Sequence, residues 1–291
     1  MYIYIQTHTV ALRLLGKLQK NLRFLWVAGT KFKSDNGFFL SSGIAFNILI
    51  NLIPFMILLL ALIGSYLYKD QEVLIQIRAY LRNVAPTIDP KITSSLIDVI
   101  QDRQTIGILG FAGLLWFSTW IFSSLQITLN IVFRVTKPRT MMRAIAVDLF
   151  MVGVVGILFL VNMVLSSLFT LLVGQGWILA VTEPVIKWVL KYLVPFLLTC
   201  CMFLLIFKII PTDPISFRSA MKVSLFTSML WELAKHLFGW YVANIATYSI
   251  FYGSLSALAI FVLWVYYSST IIVMGGELLY VLERDRHTRH T

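Results

Sequence analysis

The chain has 291 residues, of which 59% are hydrophobic and only 13% are charged. Because soluble globular proteins are usually about 25% charged, this composition excludes an ordinary soluble domain and indicates a membrane protein. The formal net charge of +11 would favour a nucleic-acid partner in a soluble protein, but in a membrane protein the position of the charges matters more than their sum.

The first 37 residues are predicted to form a cytoplasmic, basic and amphipathic leader. Their basic residues follow the short apolar run at the start, which is the reverse of the order in a cleaved signal peptide. Leucines and Trp26 recur among Lys and Arg over residues 10–33, and such a segment can lie on the inner membrane surface. A fully solvated basic leader is the alternative.

Six segments each have about 20 or more mainly apolar residues, enough to cross a hydrocarbon core about 30 Å thick. Apolar runs of this length predict helices rather than the alternating strands of a barrel. We therefore predict an all-α, polytopic protein with six transmembrane helices in one membrane domain over residues 38–282. The six segments are Phe38–Tyr68, Ile106–Asn130, Ile145–Val173, Trp188–Ile210, Met221–Tyr241 and Ser256–Leu282.

The distribution of basic residues predicts the orientation. Most of the 24 Lys and Arg residues fall in the leader, in the second and fourth connections, and in the tail over residues 283–291. The positive-inside rule then places both termini in the cytoplasm. The long first connection, about residues 70–103, has apolar residues at helical spacing on both sides of Pro86 and Pro90. We predict that it forms a small helical hairpin on the outer side.

The fifth predicted span carries three ionisable residues, Glu232, Lys235 and His236, on one helical face. Glu232 lies ten residues after Lys222, or about 15 Å along the helix, which is close to the bilayer midplane. A charge at that depth costs about 2.5–3.5 kcal/mol even on the mildest scale. Two interpretations stay open: an ion pair that fixes the helix register, or a polar site that binds a lipid head group or relays a proton.

The first predicted span contains Asn47 and Asn51, four residues apart, followed by Pro54. Proline cannot donate a hydrogen bond, so the carbonyl of Ile50 is freed and a kink is expected. The two amides and this carbonyl could line a polar path. Alternatively, the amides hydrogen-bond to neighbouring helices and serve packing alone.

The last predicted span contains Gly275, Gly276 and Glu277 near its cytoplasmic end. Two adjacent glycines allow another helix to approach closely. A carboxylate is less costly near the interface, so we expect Glu277 to pair with a cytoplasmic Arg or Lys; a role in transport is the alternative.

No motif of enzymatic chemistry is present. Phosphate-binding loops, metalloprotease helices and nucleophile turns are missing, and Cys200 and Cys201 are adjacent inside one apolar segment. We therefore expect no enzymatic activity, no metal and no cofactor.

Several motifs together resemble the YihY/BrkB family of bacterial membrane proteins. The most specific are Tyr252-Gly-Ser-Leu-Ser-Ala-Leu, Leu263-Trp-Val-Tyr-Tyr-Ser-Ser, Gly275-Gly-Glu-Leu and Leu230-Trp-Glu-Leu-Ala-Lys235. Ala45-Phe-Asn, followed by Pro54, is similar to the first-span pattern, although the family commonly has Tyr at 47, Ser at 51 and Ala at 276. The resemblance implies a bacterial inner-membrane protein with six spans, linked to envelope lipid handling; the older label ribonuclease BN is regarded as a mis-assignment.

These observations favour a transporter-like protein that handles a lipid or envelope component, with Glu232 and Lys235 as its polar site and membrane lipids as its partners. The alternative is a non-transporting scaffold for envelope biogenesis, with envelope-biogenesis proteins as partners. A nuclease is disfavoured because no catalytic group accompanies the basic residues, which topology and anionic lipid explain better.

Overall fold

The computed structural model describes residues 23–67, 103–174, 189–244 and 256–288, and all regular structure within these ranges is helical. Helix α1 covers residues 23–34. It is followed by α2 (Gly37–Leu67), α3 (Arg103–Phe133), α4 (Met141–Gly174), a π-helical turn (Val189–Leu193) that continues into α5 (Val194–Ile209), α6 (Phe217–Asn244) and α7 (Ser256–His287).

A helix lies in every predicted span, but not every helix is long and apolar enough to cross a membrane. Within the described part of the chain, four stretches are long and apolar enough to cross a bilayer: Gly37–Leu59, Gly107–Phe133, Met141–Leu165 and Ser256–Arg286. Helix α5 is apolar but only 16 residues long, and α6 is not among the four. The all-helical class is confirmed for the described residues, whereas six spans and the membrane orientation stay predictions.

Two parts of the predicted organisation fall largely outside these ranges. The predicted outer hairpin, about residues 70–103, lies outside the described residues except for Arg103, and the leader is described only from residue 23 onward. In its described part the leader is helical, with Ala28 and Phe32 buried and Trp26 75% exposed. Helix α1 ends at a tight turn in which Asn36 has a φ of 54°, a conformation that asparagine tolerates better than most residues.

The chain divides into two compact units, Met1–Ala45 with Phe122–Thr291, and Phe46–Ile121. In the first unit, α6 packs against α5 and α7, and α5 also packs against α4. Its core is formed by large apolar side chains with almost no exposed surface, namely Phe203 and Phe207 of α5 with Ile210 directly after it, Leu129 and Val132 of α3, Val223 of α6, and Val273 and Leu279 of α7.

The second unit contains a close approach between α2 and α3 that depends on glycine. Gly107, Gly110 and Gly113 are spaced three apart along α3, so they lie on one side of that helix. A Cβ atom at Gly110 would lie 3.1 Å from the backbone nitrogen of Leu58, and one at Gly113 would lie 3.4 Å from Cβ of the buried Pro54. This short distance between backbones is what small-residue stripes provide in membrane helices. The sequence analysis did not identify these three glycines.

Replacing Gly110 should therefore separate α2 from α3. We expect Gly110→Leu to destabilise the protein by at least about 1–3 kcal/mol, because the new side chain meets backbone atoms that cannot rotate away. Gly153→Leu on α4 is the matched control, since no atom lies within 4 Å of its added Cβ. Thermal unfolding in detergent measures both variants, and equal melting temperatures for the two would contradict the close approach.

Candidate functional site

Helix α6 has one face buried in the first unit and one face exposed. The buried face is rich in small and hydroxyl side chains, and the hydroxyls of Ser224 and Ser228 each donate to the carbonyl four residues earlier at 2.7 Å. These two serine hydroxyls are therefore satisfied inside their own helix and can pack against α5 and α7 at little cost, whereas the buried hydroxyl of Thr227 finds no hydrogen-bond partner among the described residues. The buried residues are Ser219, Ala220, Val223, Ser224, Thr227, Ser228 and Ala234.

The predicted ion pair lies outside this buried face. The ammonium of Lys235 donates to Oε1 of Glu232 at 2.7 Å, and the two side chains are 41% and 29% exposed. Within the described ranges, neither residue forms another ion pair. His236 follows on the same side and is exposed. The structure thus brings Glu232 and Lys235 together and leaves both reachable from outside the bundle.

The surroundings of this pair are apolar. Spacings of four and three place Leu225 and Met229 on the same stripe of α6 as Glu232 and His236, and both are exposed, by 42% and 57%. More of the outward surface is formed by Leu233, Leu237 and Trp240, each more than half exposed. An exposed ion pair contributes little in water, but beside lipid it is a polar spot on an otherwise apolar surface.

Asn47, Asn51 and Pro54 belong to the second unit, whereas Glu232, Lys235 and His236 belong to the first. The side-chain amide of Asn51 donates to the hydroxyl of Ser118 at 3.0 Å, which joins α2 to α3. Its carbonyl oxygen is buried and finds no hydrogen-bond partner among the described residues. Asn47 is half-buried, and α2 continues through Pro54. That these residues share one site with Glu232 stays a prediction.

Glu277 lies in a second, buried group of charges. Its carboxylate is fully buried and accepts a hydrogen bond from Lys31 at 2.8 Å. The same ammonium donates to Asp35 at 2.5 Å and to the carbonyl of Val132 at 2.9 Å, so all three of its protons are used. It also lies 4.2 Å from the ring centroid of Tyr280, a cation–π contact. We call Lys31, Asp35, Arg134 and Glu277 the buried charge cluster; Arg134 forms its exposed edge, with 66% of its side chain accessible.

Arg134 completes the cluster and adopts an unusual backbone conformation. Its φ is 55°, and hydrogen bonds run from its own N–H to Ile131 and from Val135 to Asn130, the pattern of a Schellman helix end in which glycine is usual. Its guanidinium lies 4.0 Å from Asp35. Two positive and two negative side chains thus balance where α1, α3 and α7 meet. The sequence analysis expected a basic partner for Glu277 but did not identify Lys31, Asp35 or Arg134.

At the same end of the first unit, further hydrogen bonds join the α3–α4 connection, the α5–α6 connection and the end of α7. Arg139 donates to the carbonyl of Ile209, the last residue of α5, and to the carbonyls of Ile210 and Pro211 that follow, at 2.8–3.0 Å. Glu283 accepts from both the backbone and the hydroxyl of Ser216 at the start of α6. The two basic connections, α3–α4 and α5–α6, are therefore held to each other and to the end of α7 by polar groups.

Asp148 is a buried acid that the sequence analysis did not identify, although it lies inside the third predicted span and is only 4% exposed. The charged group that interacts electrostatically with its carboxyl is Arg139. Burial lowers the pKa of the Arg139 guanidinium, while the Asp148 carboxyl opposes that shift. The pKa of a guanidinium is ordinarily so high that Arg139 stays charged.

Gly275 and Gly276 are both tightly packed, but against different neighbours. A Cβ atom at Gly275 would lie 2.5 Å from the ring of Phe207 and 2.6 Å from the hydroxyl of Thr227. A Cβ atom at Gly276 would lie 2.6 Å from the end of the Leu129 side chain. The two glycines thus let α7 approach α5 and α6 on one side and α3 on the other.

We expect Gly275→Ala to destabilise the protein by about 1–3 kcal/mol, because a fully buried aromatic ring would have to move. Gly276→Ala is the matched control and should cost less than about 1 kcal/mol, since a leucine end can rotate away. Melting temperatures in detergent compare the two variants. A larger loss for Gly276→Ala would show that the contact with Leu129 is the more rigid one.

Removing Lys31 should be more damaging than removing its exposed neighbour Lys33. Lys31→Met leaves the buried Glu277 without a counter-charge, which ordinarily costs about 3–5 kcal/mol. Lys33→Met changes the same charge on the same helix at an exposed position and should shift stability by less than about 0.5 kcal/mol. The double variant Lys31→Met with Glu277→Met should melt at a higher temperature than Lys31→Met alone, because the unpaired buried carboxylate is gone. Equal melting temperatures would mean that Lys31 acts independently of Glu277.

Comparison with known proteins places this arrangement in a family. The sequence pattern of "Virulence factor BrkB" matches residues 28–291. Similar proteins include UPF0761 membrane proteins of Rhodospirillum centenum (24% identical, covering 94% of this chain and 60% of the relative), Azotobacter vinelandii (27%, 89% and 63%) and Cronobacter sakazakii (26%, 97% and 95%). The chain therefore spans less than two thirds of the first two of these relatives. No solved structure matches it. The chain belongs to the virulence factor BrkB family of membrane proteins, as its motifs predicted.

Proposed function

We propose that this protein is a transporter-like protein of the bacterial inner membrane that moves a lipid or another envelope component. The proposal includes six membrane spans, with α5 and α6 crossing in addition to the four long apolar helices, and both termini in the cytoplasm. It includes no enzymatic activity and no nucleic-acid partner.

The observation that carries the proposal is the exposed ion pair of Glu232 and Lys235 on an apolar surface. If α6 enters the bilayer near Lys222, this pair lies about 15 Å deep. A polar solute needs a water-filled path enclosed by protein, whereas a lipid can present its head group to the surface of a helix while its acyl chains stay in the bilayer. An outward-facing pair at this depth therefore favours a lipid substrate.

The gathered basic connections support the orientation. Arg134 and Arg139 lie between the end of α3 and the start of α4, and Lys208 lies in the last turn of α5. Arg218 and Lys222 lie in the first two turns of α6, at the same end of the first unit. One end of the unit is thus strongly basic, which is the pattern of a cytoplasmic face. Helix movement during transport would use Pro54, which cannot donate a backbone hydrogen bond, and the glycine pair Gly275–Gly276, which has no side chains of its own.

A scaffold for envelope biogenesis is the second candidate, and one observation favours it. Helix α1 presents Leu25, Trp26 and Val27 on its outer side, exposed by 38%, 75% and 39%, next to Arg23 and Lys33. Such a surface suits either a partner protein or an anionic membrane surface. It is separate from the ion pair on α6. Substitutions of Glu232 and Lys235 should therefore impair a transporter, whereas substitution of Trp26 should impair a scaffold.

Lipid movement in reconstituted vesicles tests the proposal. We expect the wild-type protein to move acyl-labelled phospholipid between leaflets, measured by the quenching of outer-leaflet label with dithionite. The double variant Glu232→Gln with Lys235→Met should lose most of this activity and keep its melting temperature, because the pair is exposed and contributes little to stability.

Lys222→Met is the matched control, since it removes a lysine from the exposed surface of the same helix away from the pair. It should keep wild-type activity. Full activity in the double variant would reject the ion pair as the site. No lipid movement by the wild-type protein, together with loss of function in cells when Trp26 is replaced by Ala, would favour the scaffold.

A further inference from the structure

Resting on the proposed function, we propose that the Glu232–Lys235 pair selects phospholipids whose head groups are zwitterionic and carry a primary ammonium. In the free protein the two side chains bind each other at 2.7 Å. In the complex, Lys235 binds the lipid phosphate and Glu232 binds the lipid ammonium. One internal ion pair is thus exchanged for two intermolecular ones.

Charge balance is the first reason for this selection. Glu232 and Lys235 together have no net charge, and the described residues provide no further ion-pair partner for either of them. A zwitterionic head group keeps the site neutral, whereas an anionic head group adds an uncompensated charge in a medium of low dielectric constant. Such a charge is costly beside lipid, so the anionic head group should be moved more slowly.

Hydrogen bonding is the second reason. A carboxylate only accepts hydrogen bonds, and a primary ammonium offers three donors, whereas a quaternary ammonium offers none. Glu232 loses the hydrogen bond from Lys235 when the pair opens. A primary ammonium replaces that bond; a trimethylammonium group of the same charge does not. Because a charge-assisted hydrogen bond contributes about 1.5–3 kcal/mol, the difference in rate should be about tenfold or more.

The pair is also able to open. Both side chains are accessible, and Lys235 carries its ammonium on a flexible four-carbon stem. The buried charge cluster provides the contrast within the same protein. There the Lys31 side chain is only 11% exposed, it is shared by two carboxylates and a carbonyl, and its partner Glu277 is fully buried. A ligand can reach the first pair, while the second is enclosed by protein.

The test compares three acyl-labelled lipids in vesicles of phosphatidylcholine: phosphatidylethanolamine, phosphatidylcholine and phosphatidylglycerol. The first two differ only in the methyl groups on nitrogen. The same buffer is used for every lipid and every variant. We expect the wild-type protein to move phosphatidylethanolamine about tenfold faster than either other lipid, and Lys222→Met to behave in the same way.

Glu232→Gln should reduce the preference for phosphatidylethanolamine over phosphatidylcholine, because the neutral amide oxygen accepts a weaker hydrogen bond from the primary ammonium than the carboxylate does. It also leaves Lys235 as a net positive charge, so phosphatidylglycerol should become the fastest of the three. Equal rates for all three lipids with the wild-type protein would overturn the selection while leaving lipid transport intact. Movement of none of them would overturn both.

Discussion

The ammonium of Lys31 is the contact on which the arrangement of the first unit depends. It binds Glu277 of α7, Asp35 after α1 and the carbonyl of Val132 in α3, so one side chain joins three segments that are far apart in the sequence. A buried carboxylate without a counter-charge would be strongly destabilising, and this lysine makes the burial of Glu277 tolerable. The close packing at Gly275 and Gly276 lies directly before Glu277 along α7 and therefore depends on the same placement of that helix.

The two lysine–glutamate pairs of this protein have opposite physical characters. The pair of Lys31 and Glu277 is buried, uses every donor of its lysine and lies within a neutral group of four charges. The pair of Glu232 and Lys235 is exposed, local to one helix and surrounded by apolar side chains. Structural roles require a pair that does not open, and ligand binding requires one that does. This contrast, rather than the presence of charge alone, assigns the candidate site to α6.

The helices could be predicted from the sequence because long apolar runs leave few other structures for the backbone. The pair of Glu232 and Lys235 could also be predicted, since residues three apart on a helix are neighbours. The partner of Glu277 could be predicted only as a class, because 246 positions separate it from Lys31 and many basic residues were available. The left-handed conformation of Arg134 gave no pattern to detect, whereas Asp148 could have been identified as a carboxylate inside the third apolar segment. The family, by contrast, was identified correctly from motifs concentrated in the last two helices.

The low apolarity of α6 has a physical explanation that bears on whether this helix crosses the membrane. Several of its polar residues are serines and threonines on the buried face, and Ser224 and Ser228 hydrogen-bond to their own helix. A hydroxyl satisfied in this way and covered by neighbouring helices does not face lipid, so it carries little of the cost that a hydropathy sum assigns to it. The exposed face, apart from Glu232, Lys235 and His236, consists mainly of leucine, methionine and tryptophan. Away from its ends, the exposed face of α6 is therefore apolar except at Glu232, Lys235 and His236. A polar feature so local is more typical of a site than of a helix that lies outside the bilayer.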